Sequence, residues 1–262
     1  MMKKNPIKSR SSLNQVNQGP DNLLLSKIRA DLKTNADDAA REVFQRFFKE
    51  KVTCYGVKSA VVSNIAKKYW KEIAHWDKAD IFKLCEALYQ SDFCEEAFIA
   101  ANWVPRLSGS FIRKDLAIFK KWISRYITNW AKCDGFCNHT MGDYLSKFPE
   151  DIKELKKWTR SDNRWLKRAS AVSLILPARR GKFLADVFEI ADIMLLDNDD
   201  MVQKGYGWLL KEASRLHQKD VFDYVVRNNS IMPRTALRYA IELMPKELKI
   251  EAMKKDPRTL SR

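Results

Sequence analysis

The chain has 262 residues, of which 45% are hydrophobic and 31% charged, and its formal net charge at pH 7 is +15. A chain of this length can bury a substantial core, and it contains no apolar run near the ~20 residues that span a bilayer. The positive charge is typical of proteins that bind nucleic acids. A basic soluble protein without a polyanionic partner is the alternative that charge alone leaves open.

The first twenty residues are predicted to form a disordered basic arm, residues 1–20. They contain four cationic residues and no acidic one: Lys3, Lys4, Lys8 and Arg10. They also lack the apolar segment of a secretory signal. Most of the excess positive charge lies in residues 21–262, which are predicted to form one domain.

Five cysteines are scattered singly along the chain: Cys54, Cys85, Cys94, Cys133 and Cys137. Cys133, Cys137 and His139 are close in sequence, but a structural zinc site usually needs a second pair of ligands, and the other cysteines are isolated. We therefore predict neither a metal nor another cofactor. Free thiols without a secretory signal favour the cytoplasm, with association to the nucleoid in a prokaryote.

Apolar residues recur at helical spacing along the whole chain, which predicts an all-α protein. With boundaries good to about 2–4 residues, the predicted helices cover residues 21–34, 36–50, 58–70, 78–90, 92–104, 110–130, 134–147, 150–159, 162–177, 182–196, 199–217, 219–228, 233–244 and 246–255. Short connections between helices of this length predict antiparallel pairs. An array of HEAT type needs only its apolar pattern to recur, so it tolerates the absence of a clear sequence repeat. A globular helical bundle is the alternative.

The stretch of residues 127–139 ends a strongly amphipathic basic helix. Trp130 and Asp134 are four residues apart, so a continuing helix places them on one face. A protein that only holds polyanions has no use for a carboxylate on its basic surface. A carboxylate there suits the stabilisation of a cation that develops on a nucleic acid.

The stretch of residues 199–217 carries a second unusual tryptophan, Trp208. Its apolar stripe is formed by Val202, Tyr206, Leu209, Leu210, Ala213 and Leu216. Trp208 lies instead in line with three cations: Lys204, Lys211 and Arg215. This pattern favours an aromatic surface against a sugar or base, with cations reaching phosphates. A half-buried tryptophan shielded by lysine stems is the alternative.

Two glycines in this helix, Gly205 and Gly207, each cost about 1 kcal/mol relative to alanine. They indicate that the backbone of a neighbour or a ligand approaches closely here.

The stretch of residues 161–176 has its charges in the first turns, at Arg164, Lys167 and Arg168. A helix N-terminus favours an anion, so Arg168 is a candidate to hold a phosphate. It is equally a candidate to pair with a buried carboxylate, including Asp134.

Five short motifs follow one another along the chain: Tyr55-Gly-Val-Lys58, Asn129-Trp130-Ala-Lys-Cys-Asp134, Trp165-Leu-Lys-Arg168-Ala, Gly205-Tyr-Gly-Trp208-Leu-Leu-Lys-Glu and Pro233-Arg-Thr-Ala-Leu-Arg-Tyr-Ala240. In this order they resemble the AlkD-type DNA alkylation repair family, over about residues 25–245. One departure is Ala131, where the family usually has an acidic residue.

This resemblance implies a right-handed superhelical solenoid of HEAT-like antiparallel helix pairs, whose concave basic face holds duplex DNA. It implies a monomeric, monofunctional glycosylase that removes cationic N3- and N7-alkylated purines, without extruding the base. The family's catalytic carboxylate falls on Asp134 and its active-site tryptophans on Trp130 and Trp208. Its DNA-contacting arginine falls on Arg168, with Lys167 as the other candidate.

The remaining expected DNA contacts are Lys204, Lys211, Arg215, Tyr55 and Lys58. The partner is therefore expected to be double-stranded DNA containing alkylated purines, with no membrane involved. The main rival is a non-catalytic HEAT-repeat scaffold that binds DNA structure or a protein, because such arrays are more often scaffolds than enzymes. An RNA-binding array would require a base-reading code repeated in each helix pair, and no such code is visible.

Overall fold

The structure is a computed structural model that describes residues 20–254. The basic arm predicted for residues 1–20 falls outside this range, apart from Pro20. Within the described range no helix is both long enough and apolar enough to cross a membrane.

Residues 20–254 form α-helices, with 3-10 segments at Val104–Ser110 and Pro149–Asp151 and a π segment at Cys137–Met141, and no strand occurs among them. The helices are α1 (Pro20–Thr34), α2 (Asp38–Gln45), α3 (Ser59–Ile73), α4 (Lys78–Gln90), α5 (Cys94–Trp103), α6 (Asp115–Tyr126), α7 (Trp130–Phe136), α8 (Gly142–Lys147), α9 (Ile152–Trp158), α10 (Arg164–Val172), α11 (Ile175–Arg179), α12 (Leu184–Ile193), α13 (Asp200–Ala213), α14 (Gln218–Asn228), α15 (Arg234–Ala240) and α16 (Lys246–Met253). The prediction of an all-α chain is confirmed for these residues.

The helices pack in two layers. In the first layer α3, α5, α7, α10, α13 and α15 lie side by side, each against the next. The second layer lies behind it, with α4 against α5, α9 against α10, and α12 and α14 against α13. Successive pairs therefore stack into an array of the kind that the sequence predicts, and α7, α10, α13 and α15 become neighbours although they are far apart in the chain.

The core between the layers is rich in aromatic side chains. Trp122 is fully buried, with its ring 5.4 Å from that of Phe82 and 6.0 Å from that of Phe136. Its position on the apolar stripe of α6 is the one predicted from helical spacing. Aromatic rings at these separations add to the hydrophobic gain from burial.

The helix predicted for residues 110–130 is interrupted at residues 127–129, which corrects the sequence assignment. Asn129 has an extended backbone, and its side chain accepts a hydrogen bond from the main-chain N–H of Lys132. This is an N-cap, so α7 begins anew at Trp130 and its direction is set independently of α6. Trp130 and Asp134 still share one helix and one face.

Several other predicted helices also end early, and two of these ends bear on the candidate site. The helix predicted for residues 36–50 ends at Gln45, because the Gln45 side chain donates to the carbonyl of Glu50 (2.9 Å) and accepts from the N–H of Val52 (3.0 Å). The helix predicted for residues 199–217 ends at Ala213. Leu216 therefore leaves the apolar stripe to which it was assigned and is 63% exposed.

Candidate active site and nucleic-acid interface

One cavity of about 420 Å3 lies along the first layer of helices and is lined by all three candidate catalytic residues. Trp130 and Asp134 reach it from α7, Arg168 from α10, and Lys204 and Trp208 from α13. These three helices are not consecutive in the chain, since other helices lie between them. Their meeting follows from the side-by-side packing of α7, α10 and α13.

Asp134 and Arg168 form a two-point ion pair at this cavity. The Arg168 Nε donates to Asp134 Oδ1 and its Nη2 donates to Oδ2, both at 2.8 Å. The Arg168 Nη1 donates to the main-chain carbonyl of Met201 at 2.5 Å. Of the two roles that the sequence leaves open for Arg168, the structure has the pairing with Asp134.

Both partners of this pair are largely removed from water, with side-chain exposures of 14% for Asp134 and 6% for Arg168. Burial raises the pKa of Asp134 above its usual range, and the hydrogen bonds from Arg168 oppose that shift. Burial by itself would lower the pKa of Arg168, but the hydrogen bonds to Asp134 raise it, so Arg168 remains a cation. The arginine thus orients the carboxylate and supports its ionised form.

The glycines of α13 allow the close packing that holds Arg168 in place. A Cβ atom on Gly205 would lie 3.4 Å from the Cγ of Arg168. A Cβ on Gly207 would lie 2.7 Å from the carbonyl oxygen of Ala236 on α15. The close approach that the sequence predicts for these two positions is therefore by neighbouring parts of the chain.

Lys132 sets the rotation of α7. Its side chain is buried, and its Nζ donates to the carbonyl of Asp92 at 2.6 Å and to the hydroxyl of Thr128 at 2.9 Å. It also pairs with the Asp92 carboxylate. Since this anchor joins α7 to the turn before α5, it directs Trp130 and Asp134 toward the cavity.

Residues 47–50, which follow α2, form a cover segment over the cavity. Phe48 stacks on Trp130 with 5.1 Å between ring centroids and an interplanar angle of 21°. Two long ion pairs also reach across, from Lys49 to Asp200 at 3.7 Å and from Glu50 to Arg164 at 3.8 Å.

The cover segment was not predicted, because residues 36–50 were assigned to one helix. The signal present in the sequence is the adjacent pair Phe47-Phe48 inside a basic, weakly helical stretch.

Trp208 is half-buried, with part of its ring on the cavity and part packed against the core. Its indole Nε1 lies 3.4 Å from an oxygen of Glu212, a buried carboxylate that also accepts from Arg215 at 2.6 Å and pairs with Arg179 at 2.9 Å. Trp208 is therefore held in place through Glu212.

Most of the cations expected to contact DNA already have carboxylate partners. Lys167 pairs with Asp197, Lys204 with Asp200, Lys211 with Glu242 and Arg215 with Glu212, at distances between 2.6 and 2.9 Å. A phosphate contact by any of them requires it to leave or share that partner. Their assignment to DNA binding stays a prediction.

The two other expected contacts differ from each other. Tyr55 is buried, and its hydroxyl donates to Glu96 at 2.7 Å, so its side chain lies inside the protein. Lys58 is exposed at the start of α3 and has no carboxylate partner among residues 20–254. Both assignments remain predictions. The exposed position of Lys58 suits a contact with DNA better than the buried position of Tyr55 does.

A family model described as DNA alkylation repair enzyme matches residues 28–244. The solved structure of a predicted DNA alkylation repair enzyme from Enterococcus faecalis is similar, with a TM-score of 0.72 at 15% identity, over 81% of this chain and 98% of that one. AlkD2 from Streptococcus mutans gives 0.57 at 17% identity, over 84% and 98% of the two chains. The smu.31 protein of Streptococcus mutans gives 0.53 at 20% identity, over 71% and 98%. No curated protein matches the chain significantly.

At these identities the solved structures establish the fold, whereas the family model also accounts for the sequence from residue 28 to residue 244. The cavity with its carboxylate, arginine and two tryptophans lies within that range. The chain belongs to the DNA alkylation repair enzyme family.

Proposed function

We propose that this protein is a monofunctional DNA glycosylase that hydrolyses the N-glycosidic bond of cationic N3- or N7-alkylated purines in duplex DNA. The observation that carries the proposal is a carboxylate, Asp134, that lies in one cavity with two tryptophans and is held there by a buried arginine. Membership of a DNA alkylation repair family supplies the class of substrate.

The chemistry needs little more than this group. An alkylated purine is positively charged and leaves readily, so no strong general acid is required. Loss of the base leaves an oxocarbenium-like sugar, as in glycoside hydrolysis. The carboxylate of Asp134 stabilises that cation electrostatically. Each of its oxygens keeps a further lone pair besides the one used by Arg168, and through it can position the attacking water.

Trp130 and Trp208 line the cavity on separate helices. Their ring faces carry partial negative charge and attract a cationic sugar. In this proposal they flank the deoxyribose while the damaged base stays stacked in the duplex. Phe47 is the exposed aromatic side chain at the cavity. In a mechanism that extrudes the damaged base from the duplex, Phe47 is the group that could unstack it.

The second candidate is a non-catalytic DNA-binding scaffold. It is favoured by one observation, which is that both carboxylate oxygens of Asp134 are bonded to Arg168. A purely structural ion pair would have the same geometry.

The test is to incubate the protein with methylated duplex DNA and to measure free 7-methylguanine and 3-methyladenine. Release of these bases from an unbroken strand is expected. Asp134→Asn should lower the rate by about 10²-fold or more, with DNA affinity equal or higher. Asp31→Asn is the matched control, because Asp31 pairs with Lys68 on the surface of α1 and α3. Equal rates for the two variants would remove Asp134 from the mechanism, and no release of either base by the wild-type protein would favour the scaffold.

A fluorescent base analogue next to the lesion tests the stacked mechanism. Its emission should stay unchanged when the protein binds. A rise in emission that is abolished by Phe47→Ala would show base extrusion instead.

A further inference from the structure

We propose that an open groove, lined by α2, the cover segment and the two residues that follow it, holds the sugar-phosphate backbone of the DNA strand next to the candidate active site. The identity of the partner rests on the family assignment and on the proposed function. The groove itself rests on geometry and charge.

The groove has a volume of about 660 Å3. Four cationic side chains line it: Arg41, Arg46, Lys49 and Lys51. One acidic side chain, Glu42, lines it as well. Because cations outnumber acids four to one here, the groove favours an anion with several charges.

The cations of this groove differ from those on α10 and α13 in their partners. Arg46 and Lys51 are exposed, and neither has a carboxylate within 4.0 Å among residues 20–254. Lys49 has only the long contact to Asp200, at 3.7 Å. Arg41 pairs with the exposed Asp38 at 2.8 Å. A phosphate can therefore bind Arg46 and Lys51 without displacing an acidic partner.

The backbone that carries these side chains is held in place. Gln45 bridges the carbonyl of Glu50 and the N–H of Val52, which fixes Lys49 and Lys51 next to the last turn of α2. The backbone of the groove therefore needs little reordering when an anion binds.

Lys49 connects the groove to the chemistry. It lines both the groove and the cavity that contains Asp134. A strand whose sugar lies at Asp134 can thus continue past Lys49 with its next phosphates in the groove. Phosphate contacts position a protein on the duplex without reading sequence.

The test uses the double substitution Arg46→Gln and Lys51→Gln, which removes two charges from exposed side chains. Binding of a lesion-free duplex is measured over a range of salt concentrations. Each lost phosphate contact should reduce the slope of log K against log salt by about 0.9 in magnitude. The loss of two contacts should therefore reduce the slope by about 1.8.

The matched control is Lys67→Gln with Lys71→Gln on α3, two exposed lysines that line neither the groove nor the cavity. This pair removes the same charge and should leave the slope nearly unchanged. Equal slopes for the two double variants would overturn the proposal. Competition by an acidic peptide but not by duplex DNA would overturn it too, since the groove would then bind protein. Because lesion-free binding needs no catalysis, a normal slope change without base release would reject the glycosylase proposal and leave the groove standing.

Discussion

Asp134 and Arg168 form a buried ion pair, an arrangement that protein stability alone does not favour. Removing two charges from water costs about as much as their attraction returns, and apolar residues of similar volume are often as stable. A carboxylate with a raised pKa in a cavity is a common mark of a functional site. The pair is therefore better explained by a role of the carboxylate at the cavity than by a gain in stability.

The raised pKa of Asp134 predicts a pH dependence of excision. In the proposed mechanism the ionised carboxylate is the active form, so the rate should fall as the pH drops through that pKa, at a pH above the ordinary aspartate value of about 3.9. The effect on stability has the opposite sign. An acid with a folded-state pKa above its unfolded value stabilises most below the unfolded pKa, and this is lost as the pH rises through the folded pKa. Single-turnover rates from pH 4 to 8 check the prediction, after subtraction of base loss measured with Asp134→Asn. A rate that does not change in this range would exclude a titrating Asp134 from the mechanism.

The two tryptophans Trp208 and Trp122 should respond differently to truncation. Trp122 is fully buried, so Trp122→Ala should cost about 3–5 kcal/mol of unfolding free energy. Trp208 is half-buried at the cavity, so Trp208→Ala should cost clearly less and should lower excision out of proportion to its effect on stability. Denaturation midpoints and single-turnover rates for both variants check this. If Trp208→Ala unfolds as easily as Trp122→Ala, the ring belongs to the core.

At the scale of elements, the close packing of α13 against α15 fixes the wall that carries Lys204 and Trp208. Gly207 is the contact point, with room for a hydrogen atom and for nothing larger. A glycine inside a helix weakens that helix, and here the loss is offset by the approach of the neighbouring backbone.

Gly207→Ala should therefore destabilise the protein, although alanine is the better helix former. The new methyl group would lie 2.7 Å from the Ala236 oxygen and 2.8 Å from the Tyr239 Cβ, so the helices must separate, at a cost of about 1–3 kcal/mol. Gly135→Ala on α7 is the control, because its nearest neighbour would be the Ala101 Cβ at 3.9 Å. That variant should be neutral or up to about 1 kcal/mol more stable. Urea denaturation of both variants measures the change in unfolding free energy. A Gly207→Ala protein more stable than the wild type would contradict the packing described.

At the scale of the whole molecule, the cover segment of residues 47–50 joins the first helices to the cavity formed by later ones. It does so through the Phe48–Trp130 stack and the two long ion pairs to α10 and α13. Exposed ion pairs of this length contribute little to stability. The aromatic stack is therefore the contact on which the position of the segment chiefly depends.

Phe48→Leu should slow excision more than it weakens DNA binding, because it removes the ring that orients Trp130. A stacked aromatic pair contributes about 0.5–1.5 kcal/mol beyond burial, which corresponds to a rate loss of up to about tenfold. Phe48→Tyr should restore the rate. Phe44→Leu is the control, since Phe44 packs on Phe48 and Phe98 but does not line the cavity. Equal losses in the two leucine variants would mean that the segment matters only through its stability.

The sequence by itself determined the helical class, the buried stripe that contains Trp122, and the pairing of Trp130 with Asp134 on one helical face. These features depend on spacing within a single helix, and spacing is local information. The family resemblance rested on short motifs in order, and the family assignment confirms it. The roles of individual site residues remain predictions.

Only the tertiary structure decided which charged groups pair when they are far apart in the chain. The sequence left Arg168 free to bind a phosphate or Asp134, and the packing of α7 against α10 brought the two within hydrogen-bonding distance. It likewise gave acidic partners to Lys167 and Lys211, and left Arg46 and Lys51 without any among the described residues. Lys204 and Arg215 instead pair with carboxylates four and three residues away in the chain. Whether Arg168 and Asp134 pair depends on the distance between two side chains that are 34 residues apart in the chain. Helical periodicity describes the spacing of residues within one helix and does not give the distance between two helices. Only the packed array of helices determines that distance.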